Sequence, residues 1–164
     1  MKILDQRQIR HILKRLAYEV VENHFDEESI ILAGINRNGS GFAKMLEAEL
    51  NAIGKVAVHR VQILLNPADP LAQAVEVSVP IQELTGKIVI VVDDVANTGR
   101  TAFFACKPLM DILPKKVEVA VLVDRKHKAF PIVPDYVGLS LATTLKENID
   151  VRILEEDEQA VFLN

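Results

Sequence analysis

The apolar residues Ile88-Val89-Ile90-Val91-Val92 run directly into two acids, Asp93 and Asp94. A run this short, mostly β-branched and free of polar side chains must be covered on both faces, which is the condition of a central strand in a parallel sheet. Val95-Ala96-Asn97-Thr98-Gly99-Arg100-Thr101 then makes a turn into a helix predicted over about 99–112, with Pro114 limiting it. Strand, turn and helix in that order commit the chain to an α/β architecture. Ligands of such sheets lie beyond the carboxyl ends of the strands.

The remaining segments fit that frame. Residues 5–23 place Ile9, Ile12, Leu13, Leu16, Val20 and Val21 at helical spacing, with Asp5 as N-cap. Residues 29–35 read as a buried strand, 36–41 as a Gly/Asn-rich turn, and 41–52 as a helix through Phe42, Met45, Leu46 and Leu50. A second strand spans 56–65, and Asn66-Pro67-Ala68-Asp69-Pro70 breaks it. A long excursion to about residue 80 carries an edge strand at 74–79, and Thr85-Gly86-Lys87 is a tight turn. Residues 117–123 form another buried strand, and short strands fall near 135–139, 150–154 and 160–163. With 164 residues and no repeat or linker, one domain over 1–164 is expected, with a mostly parallel central sheet flanked by helices.

Composition excludes several functions. A net charge of −4 argues against a dedicated nucleic-acid binder, although a local basic face can coexist with it. The single cysteine, Cys106, can make neither an intramolecular disulfide nor a Cys-based zinc site. With Ala102, Leu109 and Met110 it lies at helical spacing and reads as core. His24 and His59 have no neighbours in sequence that suggest a metal site. Asp5, Gln6 and Arg7 interrupt the N-terminus before an apolar signal segment could form, and no stretch reaches the length of a membrane span. A cytoplasmic protein without a membrane partner is expected.

The segment 93–101 carries the chemistry. A helix N-terminus offers free N–H groups and partial positive charge, which favour a phosphate. Gly99 allows close backbone approach, and Thr98 and Thr101 add hydroxyl donors. Asp93 and Asp94 cannot serve the same anion, so they suit ribose hydroxyls, a metal ion or a developing positive charge. Phosphate donors a few residues from paired acids describe a phosphorylated sugar. Other phosphate motifs fail: no Gly stands where a Walker A loop needs one before Gly99, and Lys44 stands where a dinucleotide fingerprint starting at Gly39-Ser40-Gly41 needs its third Gly.

The run Val91 to Thr101 resembles the 5-phosphoribosyl-1-pyrophosphate motif of type I phosphoribosyltransferases. Further segments are similar to the pyrimidine-operon attenuation regulators that are also uracil phosphoribosyltransferases, the PyrR type. These are the opening helix from Ile9 to Glu19, Gly34-Ile35-Asn36-Arg37-Asn38-Gly39, Leu122 to Lys128, Phe130 to Gly138, and Ala142-Thr143-Thr144. The resemblance implies a type I phosphoribosyltransferase fold with a flexible loop and a small base-side hood. It implies Asp93 and Asp94 as the catalytic acids. Arg37, Asn38, Gly39, Ala96, Asn97, Thr98, Gly99, Arg100 and Thr101 would hold the phosphates, and Arg125, Val133 and Val137 would lie on the base side. Magnesium would arrive with the substrate rather than on protein ligands. The implied partners are phosphoribosyl pyrophosphate and a nucleobase or nucleotide, with a homodimer or higher homo-oligomer as the assembly.

Two departures from the family pattern stand out. The flexible loop, here around 65–74, lacks the family's Arg-Asp-Asp element and holds no Arg or Lys, so it would stabilise a departing pyrophosphate poorly. Position 97 is Asn, where purine-using relatives carry an Asp that acts on the purine ring. Two functions follow. One is phosphoribosyl transfer to a base, uracil first. The other is a nucleotide-sensing regulator that binds RNA through Arg10, Lys14 and Arg15 on the first helix. The alternative for those three residues is a solvated face balanced by Asp5, Glu19 and Glu22.

Overall fold

A computed structural model describes residues 1–154 and 157–164. In chain order its strands and α-helices are β1 (Lys2–Leu4), α1 (Gln6–His24), β2 (Ser29–Ile35), α2 (Asn36–Ile53), β3 (Ala57–Leu64), β4 (Glu76–Val77), β5 (Ile88–Ala96), α3 (Arg100–Ala105), β6 (Lys116–Arg125), β7 (Tyr136–Leu141), β8 (Ile149–Arg152) and β9 (Ala160–Leu163). Short 3-10 turns occupy Ile81–Leu84 and Lys107–Asp111.

Six strands make the main sheet in the order β4-β3-β2-β5-β6-β7. All its pairings are parallel except that of β4, which closes the β3 edge antiparallel. The pleat sends alternate residues to opposite faces. Ile30, Leu32, Ile90 and Val92 join one core with Leu13, Leu16 and Val20 of α1 and Phe42, Leu46 and Leu50 of α2. Ile31, Ala33, Ile35, Val89 and Val91 join the other core with Leu84, Ala102, Ala105 and Leu109. Both faces are covered, which is what the unbroken apolar run of β5 requires. β1, β9 and β8 form a separate antiparallel sheet, and its residues Leu4, Ile153 and Val161 pack into the α1–α2 core. This is the hood. No helix among the described residues is long and apolar enough to cross a membrane.

α1 begins with a complete capping box. Gln8 N–H donates to Asp5 Oδ1 at 2.8 Å, and Asp5 N–H donates to Gln8 Oε1 at 2.8 Å. Its buried end carries His24, which pairs with Glu118 of β6. Asn23 donates to the Tyr136 hydroxyl at 3.1 Å, and that hydroxyl donates to Glu118 Oε1 at 3.0 Å. His24 therefore takes a core role, with a partner remote in sequence.

Several expected boundaries move. Residues 36–41 are helix rather than turn, because α2 starts at Asn36 and docks its first turns against β5. Packing there outweighs the weak helix propensity of Asn and Gly. β5 continues to Ala96, so Asp93 and Asp94 lie within the strand. The pairing of Val95 with Val123 and of Ala96 with Asp124 extends it. The helix expected over 99–112 ends at Ala105 and continues as a 3-10 turn that leaves Met110 exposed while Leu109 stays buried. β1, three residues long, carries no periodicity that would mark it in the sequence.

Candidate active site

Asp93 and Asp94 are adjacent at the end of β5, and their surroundings differ. Asp93 faces the α3 side and borders a cavity of about 40 Å³ enclosed by the 96–101 turn. Asp94 faces α2, where Asn38 donates its Nδ2 hydrogen to Asp94 Oδ2 at 3.0 Å. Both also border an adjoining cleft of about 470 Å³. Asp93 is held well above the usual carboxylate range, first by burial and then by the neighbouring Asp94 charge. Asp94 N–H donates to Asp93 Oδ1 at 2.9 Å, and this partly offsets the effect. The two acids thus differ in environment, and one strand end supplies both a poorly solvated carboxyl and a hydrogen-bonded one.

The 96–101 turn is tight and closely packed. Gly99 has φ +85°, a left-handed conformation that side chains rarely adopt. A Cβ there would also press on Ile132 at 3.1 Å. Thr98 Oγ1 accepts from the Arg100 N–H at 3.3 Å, and the Thr98 carbonyl accepts from Ala129 N–H at 2.9 Å and Phe130 N–H at 3.1 Å. The turn is therefore strapped from outside by residues 129–132. α3 is only six residues long, so its macrodipole is small. The N–H groups of its first turn have no intrahelical partner and are open to an acceptor.

Across the cleft stands the start of α2. The chain reverses at Asn36, whose φ of +51° is the one positive value outside glycine among the described residues. The Asn36 side chain makes a strand-like pair of hydrogen bonds with Leu65, donating to its carbonyl at 2.9 Å and accepting from its N–H at 3.0 Å. Asn36 thereby anchors the stem of the loop at 65–74. Gly39 is buried because a Cβ would lie 2.5 Å from the Val92 carbonyl oxygen. Its role is close approach, and that approach brings Arg37, Asn38 and the free N–H groups of α2 to the cleft. Arg37 is exposed and also borders a second groove shared with Asp150 and Arg152 of the hood. The loop at 65–74 has no cation of its own, but Arg100 reaches it, donating to the Pro67 carbonyl at 2.6 Å.

Of the expected site residues, Asp93, Asp94, Arg37, Asn38, Asn97 and Thr101 border the cleft, and Ala96, Thr98, Gly99 and Arg100 complete the cavity beside it. Arg125 is buried, and each of its three nitrogens makes a hydrogen bond: Nε donates to Thr143 Oγ1 at 2.7 Å, and its terminal nitrogens donate to Asn97 Oδ1 at 3.1 Å and the Thr144 carbonyl at 2.9 Å. Val133 and Val137 border neither the cavity nor the cleft. Val133 is 85% exposed, and Val137 pairs with Val121 partway along β6 and packs in the α3-side core. Apolar residues that do border the cleft are Ile35, Val95, Pro67 and, from the hood, Ile149. Nothing local marked Ile149, since β8 is distant in sequence and returns only through the hood sheet.

Among the described residues no group of three or more His, Cys, Asp or Glu is gathered that could hold a metal ion. On α1, Arg10 and Lys14 are exposed. Arg15 instead donates to the Gly138 carbonyl at 2.6 Å and to Glu19 at 3.0 Å, which ties α1 to β7.

Residues 1–156 match the model of the phosphoribosyl transferase domain family. The chain is 36% identical over 167 residues to the Bifunctional protein PyrR of Alkaliphilus metalliredigens, covering 96% of this chain and 90% of that protein. It is 34% identical over 160 residues to the Bifunctional protein PyrR of Haemophilus ducreyi, covering 92% and 88%. Among solved structures, the hypoxanthine phosphoribosyltransferase of Trypanosoma cruzi superposes with a TM-score of 0.80 at 15% identity, covering 99% of this chain and 95% of that one. A hypoxanthine-guanine phosphoribosyltransferase of Bacillus anthracis gives 0.72 at 23% identity, covering 86% and 82%. At these identities the structural likeness concerns the fold.

Proposed function

Because this chain belongs to the phosphoribosyl transferase family, we propose that it transfers a phosphoribosyl group from 5-phosphoribosyl-1-pyrophosphate to a nucleobase, uracil first among them, and releases pyrophosphate. One arrangement carries the reading: a strand end with two differently placed carboxyls, Asp93 and Asp94, between an anion cradle at 96–101 and the amino end of α2. The 5-phosphate fits the small cradle, where backbone N–H groups and the Thr98 and Thr101 hydroxyls are donors. The pyrophosphate fits the α2 side, beside Arg37. Ribose lies between them, its hydroxyls within reach of Asp93 and Asp94, and Ile149 offers an apolar surface to one face of a base.

Catalysis is then mainly positioning and electrostatics. As the bond from C1 to pyrophosphate breaks, positive charge grows on the ribose ring, and the two carboxyls are placed to stabilise it. Arg37 and the α2 N–H groups stabilise the leaving anion. Magnesium belongs to the substrate in this scheme, because Asp93 and Asp94 alone form an incomplete ligand set. When bound, it supplies neutralisation of the pyrophosphate. Arg100, tied to Pro67, places a guanidinium beside a loop that has no cation of its own.

The PyrR name of the relatives at 34–36% identity supports uracil as the base and supports a second reading, regulation through RNA. The observation behind that reading is the exposed pair Arg10 and Lys14, for which no ion-pair partner occurs among the described residues. A homodimer or higher homo-oligomer belongs to the same proposal. The deciding experiment is a steady-state assay with magnesium, phosphoribosyl pyrophosphate and labelled uracil, cytosine, hypoxanthine or guanine. Turnover with uracil is expected. No turnover with any base, in a protein that binds phosphoribosyl pyrophosphate, would leave only the regulatory reading.

A further inference from the structure

Asn97 stands where the cavity and the cleft meet, and its polar atoms are not equally free. Its Oδ1 accepts from Arg125 at 3.1 Å, and its backbone carbonyl accepts from Lys128 Nζ at 3.1 Å. Lys128 is in turn paired with Asp124 at 2.5 Å. Among the described residues Asn97 Nδ2 donates to no partner. A guanidinium has donors and no acceptor, so it dictates which end of an amide faces it. Were Asn97 flipped, an amide N–H would oppose a guanidinium N–H, and a donor of a buried arginine would lose its acceptor. Arg125 cannot turn away to escape this, because it is 8% exposed and its Nε and second terminal nitrogen are held by Thr143 and Thr144.

We propose that Arg125 is a positioning residue that locks the Asn97 amide with Nδ2 toward the cleft, so that the site selects bases presenting a carbonyl oxygen over bases presenting an amino group at the same place. This deepens the transferase reading and rests on it. An aspartate at position 97 would offer only acceptors, whereas the locked asparagine offers only a donor. The discrimination comes from the unmet partner: an amino group facing the Asn97 N–H leaves two donors opposed and desolvated, and sites built on such a hydrogen bond reject the mismatched analogue strongly.

The test is calorimetric titration of the full chain with two matched ligand pairs that each exchange a carbonyl for an amino group, uridine against cytidine 5′-monophosphate and inosine against adenosine 5′-monophosphate. Phosphoribosyl pyrophosphate with magnesium is titrated in parallel. The carbonyl member of whichever pair binds is expected to be tighter by roughly tenfold or more. Asn97→Asp, which keeps the side-chain size and the Arg125 contact, is expected to reverse that preference. Arg125→Met is expected to bring the ratio near one, and Arg125→Lys to retain part of it. Equal affinities in the native chain, or a carbonyl preference that survives Asn97→Asp, would overturn the inference and leave the transferase reading intact. Failure to bind phosphoribosyl pyrophosphate and every nucleotide would remove both.

Discussion

Asn38 and Asp94 are 56 positions apart, yet the Nδ2 of one donates to the Oδ2 of the other at 3.0 Å. The bond joins the first turn of α2 to the end of β5, so the anion side of the cleft and its acid side are set by one contact. It follows that Asn38→Ala acts on chemistry more than on stability. Both partners are exposed to the cleft, and losing the bond costs about 1 kcal/mol of folding free energy. Turnover, which needs the Asp94 carboxylate held in one orientation, is expected to fall by roughly tenfold to hundredfold. Steady-state kinetics beside urea denaturation separates the two. A loss of stability matching the whole loss of activity would refute this account.

The Asp93 carboxyl is raised above its ordinary value, chiefly by burial and then by Asp94. The folded state therefore holds this proton more tightly than the unfolded chain does. Stability from this group is fully present below the unfolded carboxylate value of about 4 and is lost as pH rises toward the higher folded value. Asp93→Asn removes the titration, so the variant should melt at a higher temperature than the native chain at pH 7. The difference should vanish as pH falls to about 4. Activity is expected to drop by about a hundredfold, the usual exchange at a functional site. Thermal melts of both proteins across pH 4–8 check the sign, and a variant less stable at pH 7 would contradict it.

Local patterns made the acid–turn–helix segment legible. The apolar run Ile88–Val92 identified a central strand, and the acids and the Thr98–Thr101 turn needed no knowledge of any other segment. Long-range geometry was hidden. The Asn36 bond to Leu65 and the His24 pairing with Glu118 join residues 29 and 94 positions apart, and no periodicity encodes them. Ile149 reaches the cleft only because β8 pairs with β9, which pairs with β1. Val137 pairs with Val121 in the β6–β7 register and Val133 stands exposed ahead of β7, so neither borders the cleft, and no local pattern shows this. Gly39, which the resemblance places at a phosphate, also packs against a β5 carbonyl more than fifty residues ahead, and no local pattern encodes that approach.

That carbonyl makes Gly39 testable. A Cβ would sit 2.5 Å from the Val92 oxygen and 3.3 Å from the Asp93 Cα, both backbone atoms of a central strand. Neither can yield without shifting β5 or α2. Gly39→Ala is expected to destabilise the fold by roughly 1–3 kcal/mol despite the better helix propensity of Ala. It should also weaken phosphoribosyl pyrophosphate binding, since α2 must move outward. A urea midpoint equal to or above the native one would show that the approach is not tight.

The buried pair His24 and Glu118 supports no site, so its loss should be purely structural. Glu118 also accepts from the Tyr136 hydroxyl, and Asn23 donates to that same hydroxyl. Removing His24 takes one hydrogen-bond partner from a buried carboxylate that keeps the Tyr136 hydroxyl, and His24→Ala is expected to cost roughly 1–3 kcal/mol. Tyr136 is raised well above its ordinary value, mainly by burial. Its contribution is therefore complete below the unfolded value of about 10 and declines as pH rises beyond it. The native chain should lose stability above about pH 10 more steeply than Tyr136→Phe does. Denaturation curves at pH 8 and pH 11 measure this, and parallel losses in both proteins would exclude Tyr136 as the cause.

The basic residues of α1 divide into two kinds, and the regulatory reading depends on the division. Arg15 is engaged with the carbonyls of Val137 and Gly138 and with Glu19, so Arg15→Ala should reduce stability by about 1 kcal/mol. Arg10 and Lys14 stand free on the exposed face, and their neutralisation should leave stability within about 0.5 kcal/mol. If RNA lies on this face, each of the two releases counterions. Arg10→Gln and Lys14→Gln should then each lower the slope of log affinity against log salt by about 0.7 on a single-stranded leader segment. Affinity should fall with it while phosphoribosyl transfer is unchanged, because neither residue borders the cleft. Filter binding of a pyrimidine-operon leader RNA at several salt concentrations gives the slope. Salt-independent binding, or an unchanged slope in the double variant, would place any RNA contact elsewhere and leave α1 as a solvated face.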